Sequence, residues 1–368
     1  MKEKMNKKMN KKKSPLEGIW SEKFWNKEAE RIELEYAELL SDSLPETKAP
    51  ADVKETEHRI EKFVRNLIHK TGKGSLHVGL TSSDLEDNIR ILREYKSCKY
   101  LYDRLRDFWF VFEKSIKEDK TTFIVARTHL LPAGFITVEE RFRPIIDTAY
   151  SAMSRPQFFF KGIGGSLGTR HVQKYLNITD EDLDRIFAHN HIRIQDSRSQ
   201  TGNHLTEMDI ANWLSTQAMI FAKLANDVRQ MFAFGEAIND SKDVASTAIV
   251  QKQFPNPWRW ERVSGMAEEI YNLPSLVTRI SSSCLLERTL NNQSVLNHSL
   301  KNAFEVLEMM LDDAEVALST LVFTGYDEVV EKNPEIRMVD LMIETGVNRE
   351  DAYASIREEE SSYGNGRI

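Results

Sequence analysis

The sequence predicts an all-α fold built around long helices. Three segments repeat apolar residues at three-and-four spacing for far longer than an ordinary helix, none of them contains proline, and strand-like alternation is scarce. The first runs from Leu85 to Ile116. The second, from Glu207 to Glu236, carries Ile210, Trp213, Leu214, Ile220, Phe221, Leu224, Val228 and Met231. At ~1.5 Å rise per residue it makes a rod of about 45 Å. The third, from Leu296 to Leu321, runs through Leu300, Ala303, Phe304, Leu307, Met310, Leu311, Ala314 and Ala317. Rods of this length cannot bury their sides in one small subunit, so they predict a bundle that continues across subunit interfaces. The expected organisation is a Lys-rich disordered tail over 1–13, an N-terminal helical domain over 14–99, a central long-helix bundle over 100–330 and a short C-terminal helical domain over 331–368.

Composition narrows the function classes. A formal net charge of −7, with no basic stripe in the body of the chain, gives no reason to expect a nucleic-acid partner. The one cationic block, Met1 to Lys13, lacks the apolar core and cleavage site of a secretory signal. No apolar run reaches the ~20 residues that a bilayer crossing needs, so no membrane partner is expected. Cys98 and Cys284 are far apart without ligand spacing and read as buried thiols of a reducing compartment. The expected location is cytoplasmic.

Irregular polar segments interrupt the rods. His77 to Asn88, HVGLTSSDLEDN, places an imidazole, the three hydroxyls of Thr81, Ser82 and Ser83, and Asp84 at a helix start. The free N–H groups of such a start favour an anion. Plain capping is the alternative, with Ser83 and Glu86 as a capping box. Thr128-His129-Leu130-Leu131-Pro132-Ala133 holds a histidine that is either structural or reactive. Gly162 to Thr169, GIGGSLGT, lacks the spacing of a nucleotide loop and suits close backbone approach or a hinge. Asn239 to Gln253, with Ser246, Thr247 and Lys252, suits a mobile active-site loop or a plain connector. Glu287 to Ser294 offers Arg288 and several amides before the third rod.

The order of these segments resembles the aspartase/fumarase superfamily, and within it the adenylosuccinate lyases. His77 to Asp84 matches H-x-G-x-T-S-S-D, and Thr128 to Ala133 matches T-H-x-x-P-A. Ala245 to Lys252 matches the loop G-S-S-x-M-P-x-K, and Asn256-Pro257-Trp258-Arg259-Trp260-Glu261-Arg262 matches its N-P-x-R-x-E-R continuation. Ile19-Trp20, an E-R-T-L element at Glu287 to Leu290 and Gly346 to Tyr353 also match. The resemblance implies a mostly helical homotetramer whose active sites each draw on three subunits. It implies anti-elimination of fumarate from a succinyl conjugate, without metal or organic cofactor. By matching position Ser246 is the general base, His129 the general acid, and His77 and His58 are supporting imidazoles. Lys252 favours the serine alkoxide. Thr81, Ser82, Thr128, Lys252 and Asn256 hold substrate carboxylates, and Gln200 and Arg262 are further contacts.

The sequence departs from that pattern in the loop and in the residues that, by resemblance to adenylosuccinate lyases, bind the nucleotide phosphate. Ile249-Val250 stands where the family has Met-Pro, and two extra residues separate Lys252 from Asn256. Without that insertion Phe254 and Ala248 take the places of the lysine and serine. The insertion is preferred because it keeps the Ser246-to-Lys252 spacing. An Arg-Tyr pair expected before Ile19-Trp20 is replaced by about Asn10-Lys11. Arg288 is present, but Gln293 and Asn297 stand where a serine and a second arginine are expected, with Ser294 adjacent. The chain ends soon after Tyr353, which implies a shortened C-terminal domain. Adenylosuccinate or the succinyl-carboxamide ribotide is the default substrate. The alternatives are a different N-succinyl conjugate in a specialised pathway, and a helical scaffold without turnover.

Overall fold

The computed structural model describes residues 13–45, 58–118, 122–188, 192–196, 199–240, 256–326 and 334–363. The tail up to residue 12 and the loop bearing Ser246, Thr247 and Lys252 lie outside the described residues. The chain runs through α1 (Pro15–Ile19), α2 (Glu22–Leu40), α3 (Arg59–Thr71), α4 (Ser82–Glu118), β1 (Phe123–Thr128), β2 (Leu131–Thr137) and α5 (Val138–Ser151). Next come β3 (Phe159–Phe160), α6 (His171–Tyr175), α7 (Asp180–Arg185), β4 (Arg193–Ile194), α8 (Leu205–Ala233) and β5 (Ala237–Asn239). The last are α9 (Trp258–Tyr271), α10 (Leu273–Ser282), α11 (Asn291–Thr320), β6 (Leu321–Phe323), α12 (Pro334–Thr345) and α13 (Arg349–Tyr363). The all-α expectation holds, with 67% of the described residues helical. Among the described residues the strands form three two-stranded pairs, β1–β2, β3–β4 and β5–β6.

The three predicted rods are α4, α8 and α11. Every residue named above for the stripe of the second rod is buried, as are those of the third from Leu296 to Ala317. The third rod starts five residues earlier than its stripe and stops at Thr320, so Leu321 opens a strand instead. Two compact units result, each from three stretches: 1–108, 151–223 and 262–315 in the first, 109–150, 224–261 and 316–368 in the second.

In the first unit, α2 starts at Ser21, whose side chain accepts from the Phe24 N–H at 3.1 Å. It buries Trp25, Ala29, Ile32, Tyr36, Ala37 and Leu40 at helical spacing. One carboxylate, Glu33, lies on the same face and is fully buried. Gly72, in the left-handed region at φ 72°, ends α3 by donating to the Ile68 carbonyl at 2.8 Å. Cys98 is buried and burial pushes its thiol well up, whereas Cys284 is only half-buried, which corrects the expectation of two buried thiols.

A buried ionic group ties α4 to α8. Arg90 Nη1 donates to Glu94 Oε1 at 3.1 Å and to Glu207, and its Nη2 lies 3.6 Å from Asp87 Oδ1. One guanidinium thus faces three carboxylates, with the His204 ring 3.5 Å from Glu207. Burial pushes Glu94 up to about 8, the Glu207 charge adding to it and Arg90 opposing it. Burial also resists ionisation of Glu207, but Arg90 and His204 outweigh it and hold that carboxyl down at about 2. Between a carboxyl's ordinary 4.5 and about 8, the folded state therefore keeps a proton on Glu94 that the unfolded chain has lost. Stability from this group falls as pH rises through that window. Glu94→Gln removes the titration, so its denaturation midpoint is expected to gain on wild type between about pH 5 and pH 8. A difference that stays constant across that range contradicts the assignment.

In the second unit, β1 and β2 form an antiparallel hairpin. The Val125 N–H donates to Glu236 Oε1 at 2.8 Å, and Phe123 exchanges backbone hydrogen bonds with Tyr326 at 2.8 and 2.7 Å. Gly325 allows that approach, since a Cβ there would sit 2.0 Å from the Phe123 carbonyl oxygen. Behind the hairpin, Phe142 packs edge-on to Phe112 and against Phe323, with ring centroids 5.2 and 5.7 Å apart.

Candidate active site

The first unit gathers five of the predicted residues around the start of α4. The helix begins at Ser82, and the Thr81 N–H donates to Asp84 Oδ2 at 2.9 Å. The cap is therefore Thr81 with Asp84, which corrects the Ser83–Glu86 capping box. Ser83 lies inside the helix, fully buried, and its hydroxyl has no partner among the described residues. Asp84 is itself fully buried and accepts from the N–H groups of Gly164 (2.8 Å) and Gly165 (3.1 Å) and from the Lys161 ammonium. One turn later Asn88 clasps Gly162, accepting from its N–H at 2.9 Å and donating to its carbonyl at 3.1 Å. The glycine-rich segment is thus a close-approach loop pinned to α4. Gly165, at φ 71°, leaves room for the Gly79 carbonyl, which would lie 3.0 Å from any Cβ.

The loop that carries His77 is fixed from the other side. His77 sits at φ 65° and Gly79 at φ 75°, a tight reversal that favours glycine and strains a histidine. Tyr36 donates its hydroxyl to the Val78 carbonyl at 2.9 Å, and Gln173 donates to the Gly79 carbonyl at 3.0 Å and to the Tyr36 oxygen at 2.9 Å. Burial pushes the Tyr36 phenol up to about 12, so it remains a neutral donor. Glu33 accepts from the His77 backbone N–H at 2.9 Å and meets the ring Nδ1 at 2.6 Å.

Beside this loop stands Arg288. Its Nη1 donates to Ser82 Oγ at 3.1 Å and to Gln200 Oε1 at 2.9 Å, and its Nη2 donates to Gln293 Oε1 at 3.0 Å. Gln200 in turn donates to the Ser166 carbonyl at 2.9 Å, and Gln293 to Asp87 at 2.8 Å. All three acceptors of Arg288 are neutral. Among the described residues the half-buried Arg288 guanidinium therefore has no acidic partner, which leaves its charge available to an anion.

The second unit holds the other described candidates. Thr128 ends β1 and pairs with Leu131, so His129 and Leu130 are the two residues of the hairpin turn. Both have positive φ, 53° and 66°, as a type I′ turn demands, and both are exposed. The turn therefore presents the His129 imidazole at an exposed tip without burying it in a core. Asn256 accepts at its backbone carbonyl from the Asn239 side chain at 3.3 Å, and among the described residues its buried Oδ1 has no partner. It borders a cavity of about 980 Å³ lined also by Arg229, Gln230, Glu261 and Thr324.

No family model matches the chain. Adenylosuccinate lyase of Caenorhabditis briggsae is 24% identical to it over 398 residues, covering 94% of this chain and 80% of the relative. Adenylosuccinate lyase of Saccharomyces cerevisiae is 23% identical, covering 77% and 62%. A crystal structure of fumarate lyase from Mesorhizobium sp. BNC1 has a TM-score of 0.69 at 17% identity, over 93% of this chain and 84% of that one. The 3-carboxy-cis,cis-muconate lactonizing enzyme of Pseudomonas putida gives 0.67 at 14% identity, over the same shares. The chain is similar to adenylosuccinate lyases over most of its length and shares the fold of these lyase-family structures.

Within that fold, the predicted residues separate by place. His77, Thr81, Ser82, Gln200 and Arg288 share one bonded neighbourhood of the first unit. His58 instead begins α3, its Nδ1 accepting from the Glu61 N–H at 3.3 Å, and Arg262 pairs with Asp313 at 3.3 Å. Ser294 is exposed in the first turn of α11. Thr128, His129 and Asn256 belong to the second unit. Arg127 to Gly134 is a hairpin, not an irregular stretch, and Trp258 to Arg262 opens α9. Sequence reasoning missed Glu33, Tyr36, Gln173, Lys161 and the clasp of Gln293 on Arg288. The one available signal was Glu33, a carboxylate inside the apolar stripe of α2.

Proposed function

We propose that the chain is a C–N lyase that splits an N-succinyl conjugate and releases fumarate. The observation that carries this is the Arg288 guanidinium, held by Ser82, Gln200 and Gln293 with no acidic partner among the described residues, at the helix start that follows the His77 loop. The named relatives, which are adenylosuccinate lyases, support the same reading. In this reaction Ser246, favoured as alkoxide by Lys252, takes a proton from the succinyl Cβ. The electron pair moves to form the alkene, the C–N bond breaks, and His129 gives its proton to the departing nitrogen. Thr81, Ser82, Thr128 and Asn256 donate to the succinyl carboxylates, whose charge grows as the Cβ proton leaves. The working form is a homotetramer with shared active sites, which brings residues of several subunits to one substrate.

Adenylosuccinate, or the succinyl-carboxamide ribotide, is the default substrate. The second reading, a different N-succinyl conjugate, is favoured by Gln293, which occupies one edge of the Arg288 guanidinium where the family uses a hydroxyl. The test is adenylosuccinate cleavage followed by absorbance. Under the default reading Arg288→Ala raises KM at least tenfold, since a charge-assisted hydrogen bond is worth about 1.5–3 kcal/mol. No cleavage of adenylosuccinate, with fumarate still released from another conjugate, selects the second reading. No fumarate from any conjugate leaves the scaffold reading.

A further inference from the structure

We infer that Glu33 is a positioning residue for His77, fixing the ring with Nδ1 turned into the protein and Nε2 turned toward the substrate. The inference rests on the lyase reading for its kinetic arm. Glu33 comes from the middle of α2 and is the carboxylate on that helix's apolar face, with no exposed surface. A buried carboxylate needs partners for both oxygens. Among the described residues both oxygens are met by His77: the backbone N–H on Oε2 at 2.9 Å and the ring Nδ1 on Oε1 at 2.6 Å. An ionised carboxylate only accepts, so Nδ1 carries the hydrogen and Nε2 is left for other work.

Two further features show that the site is built to hold this arrangement. The His77 backbone is in the left-handed region at φ 65°, which persists only where surrounding groups determine it. Tyr36 from the same helix and Gln173 from α6 hold the next two carbonyls. The ring itself keeps 24% of its surface exposed while Glu33 keeps none. The accessible edge is therefore the one away from Glu33, which carries Nε2. A carboxylate behind an imidazole also offsets the charge that the ring gains when Nε2 takes or shares a proton.

Glu33→Gln separates this role from simple propping of the loop. The amide has the same shape and its oxygen can still accept from the His77 backbone N–H, but its NH₂ donates to Nδ1 and moves the ring hydrogen to Nε2. The inference expects kcat to fall ~10–100-fold, the range for partners that orient a working imidazole, with KM changed less than about threefold. Glu33→Asp, which keeps the carboxylate, is expected to recover a large part of that loss. Solid-state ¹⁵N spectra of the histidine-labelled full-length protein, assigned with His77→Asn, read the ring directly. Nδ1 should be protonated in wild type and bare in Glu33→Gln. A bare Nδ1 in wild type, or wild-type kcat in Glu33→Gln, overturns the inference. If Glu33→Gln fails to fold, the wild-type spectrum and the Glu33→Asp kinetics decide. If wild type releases fumarate from no conjugate, the lyase reading fails while the spectrum still judges the Glu33–His77 pairing.

Discussion

Turnover is expected to fall by ~10²–10⁴-fold in His129→Asn, the range for deleting a positioned proton-transfer group, with thermal stability unchanged. Asparagine is the informative replacement because His129 sits at φ 53° in a two-residue turn, and asparagine accepts that conformation more readily than most residues. The hairpin should therefore keep its register while the imidazole is lost. Exposure of the side chain removes any packing explanation for a loss of rate. Ser246→Ala is expected to fall by a similar factor, since acid and base serve the same elimination. Steady-state kinetics of both variants, beside a melting curve, provide the check. Near-normal kcat in His129→Asn would remove this residue from the proton chain.

Asp84→Ala is expected to cost the most stability of any single change discussed. The side chain is fully buried, its Lys161 partner is 1% exposed, and no solvent screens the pair. Removing one member leaves a buried ammonium without a counter-charge, which typically costs about 3–5 kcal/mol. The N–H groups of Thr81, Gly164 and Gly165 lose their acceptor as well. Adding Lys161→Met should restore part of the loss by removing the stranded charge. Denaturant midpoints of the single and double variants measure this. A loss below about 1 kcal/mol would show that the glycine loop does not depend on Asp84.

The long helices were legible because their signal is periodic and redundant. Eight residues of the second stripe agree with one another, and all eight are buried. The hairpin was not legible, because β1 and β2 are short and half-exposed and alternate weakly, and the turn uses His129-Leu130 where asparagine and glycine usually advertise it. The helix start around Ser82 was legible to within two residues, but its cap was misread. Thr81–Asp84 and Ser83–Glu86 both fit the capping pattern, and only burial of Asp84 against the glycine loop separates them. Arg288 was identified through its motif, yet its grip on Ser82 joins positions 206 apart in sequence. No local pattern encodes such a pairing. Glu33 was visible as a charge on an apolar face, although nothing local tied it to His77, 44 residues away.

Elimination of fumarate is the chemical event on which every proposed residue role depends. The direct measurement is proton NMR of purified protein with adenylosuccinate, the succinyl-carboxamide ribotide and further N-succinyl conjugates, following fumarate and the freed amine together. The account predicts equal amounts of the two from at least one conjugate, at ~1–10³ s⁻¹ per site. Intact conjugates throughout, with a correctly folded protein, would contradict it.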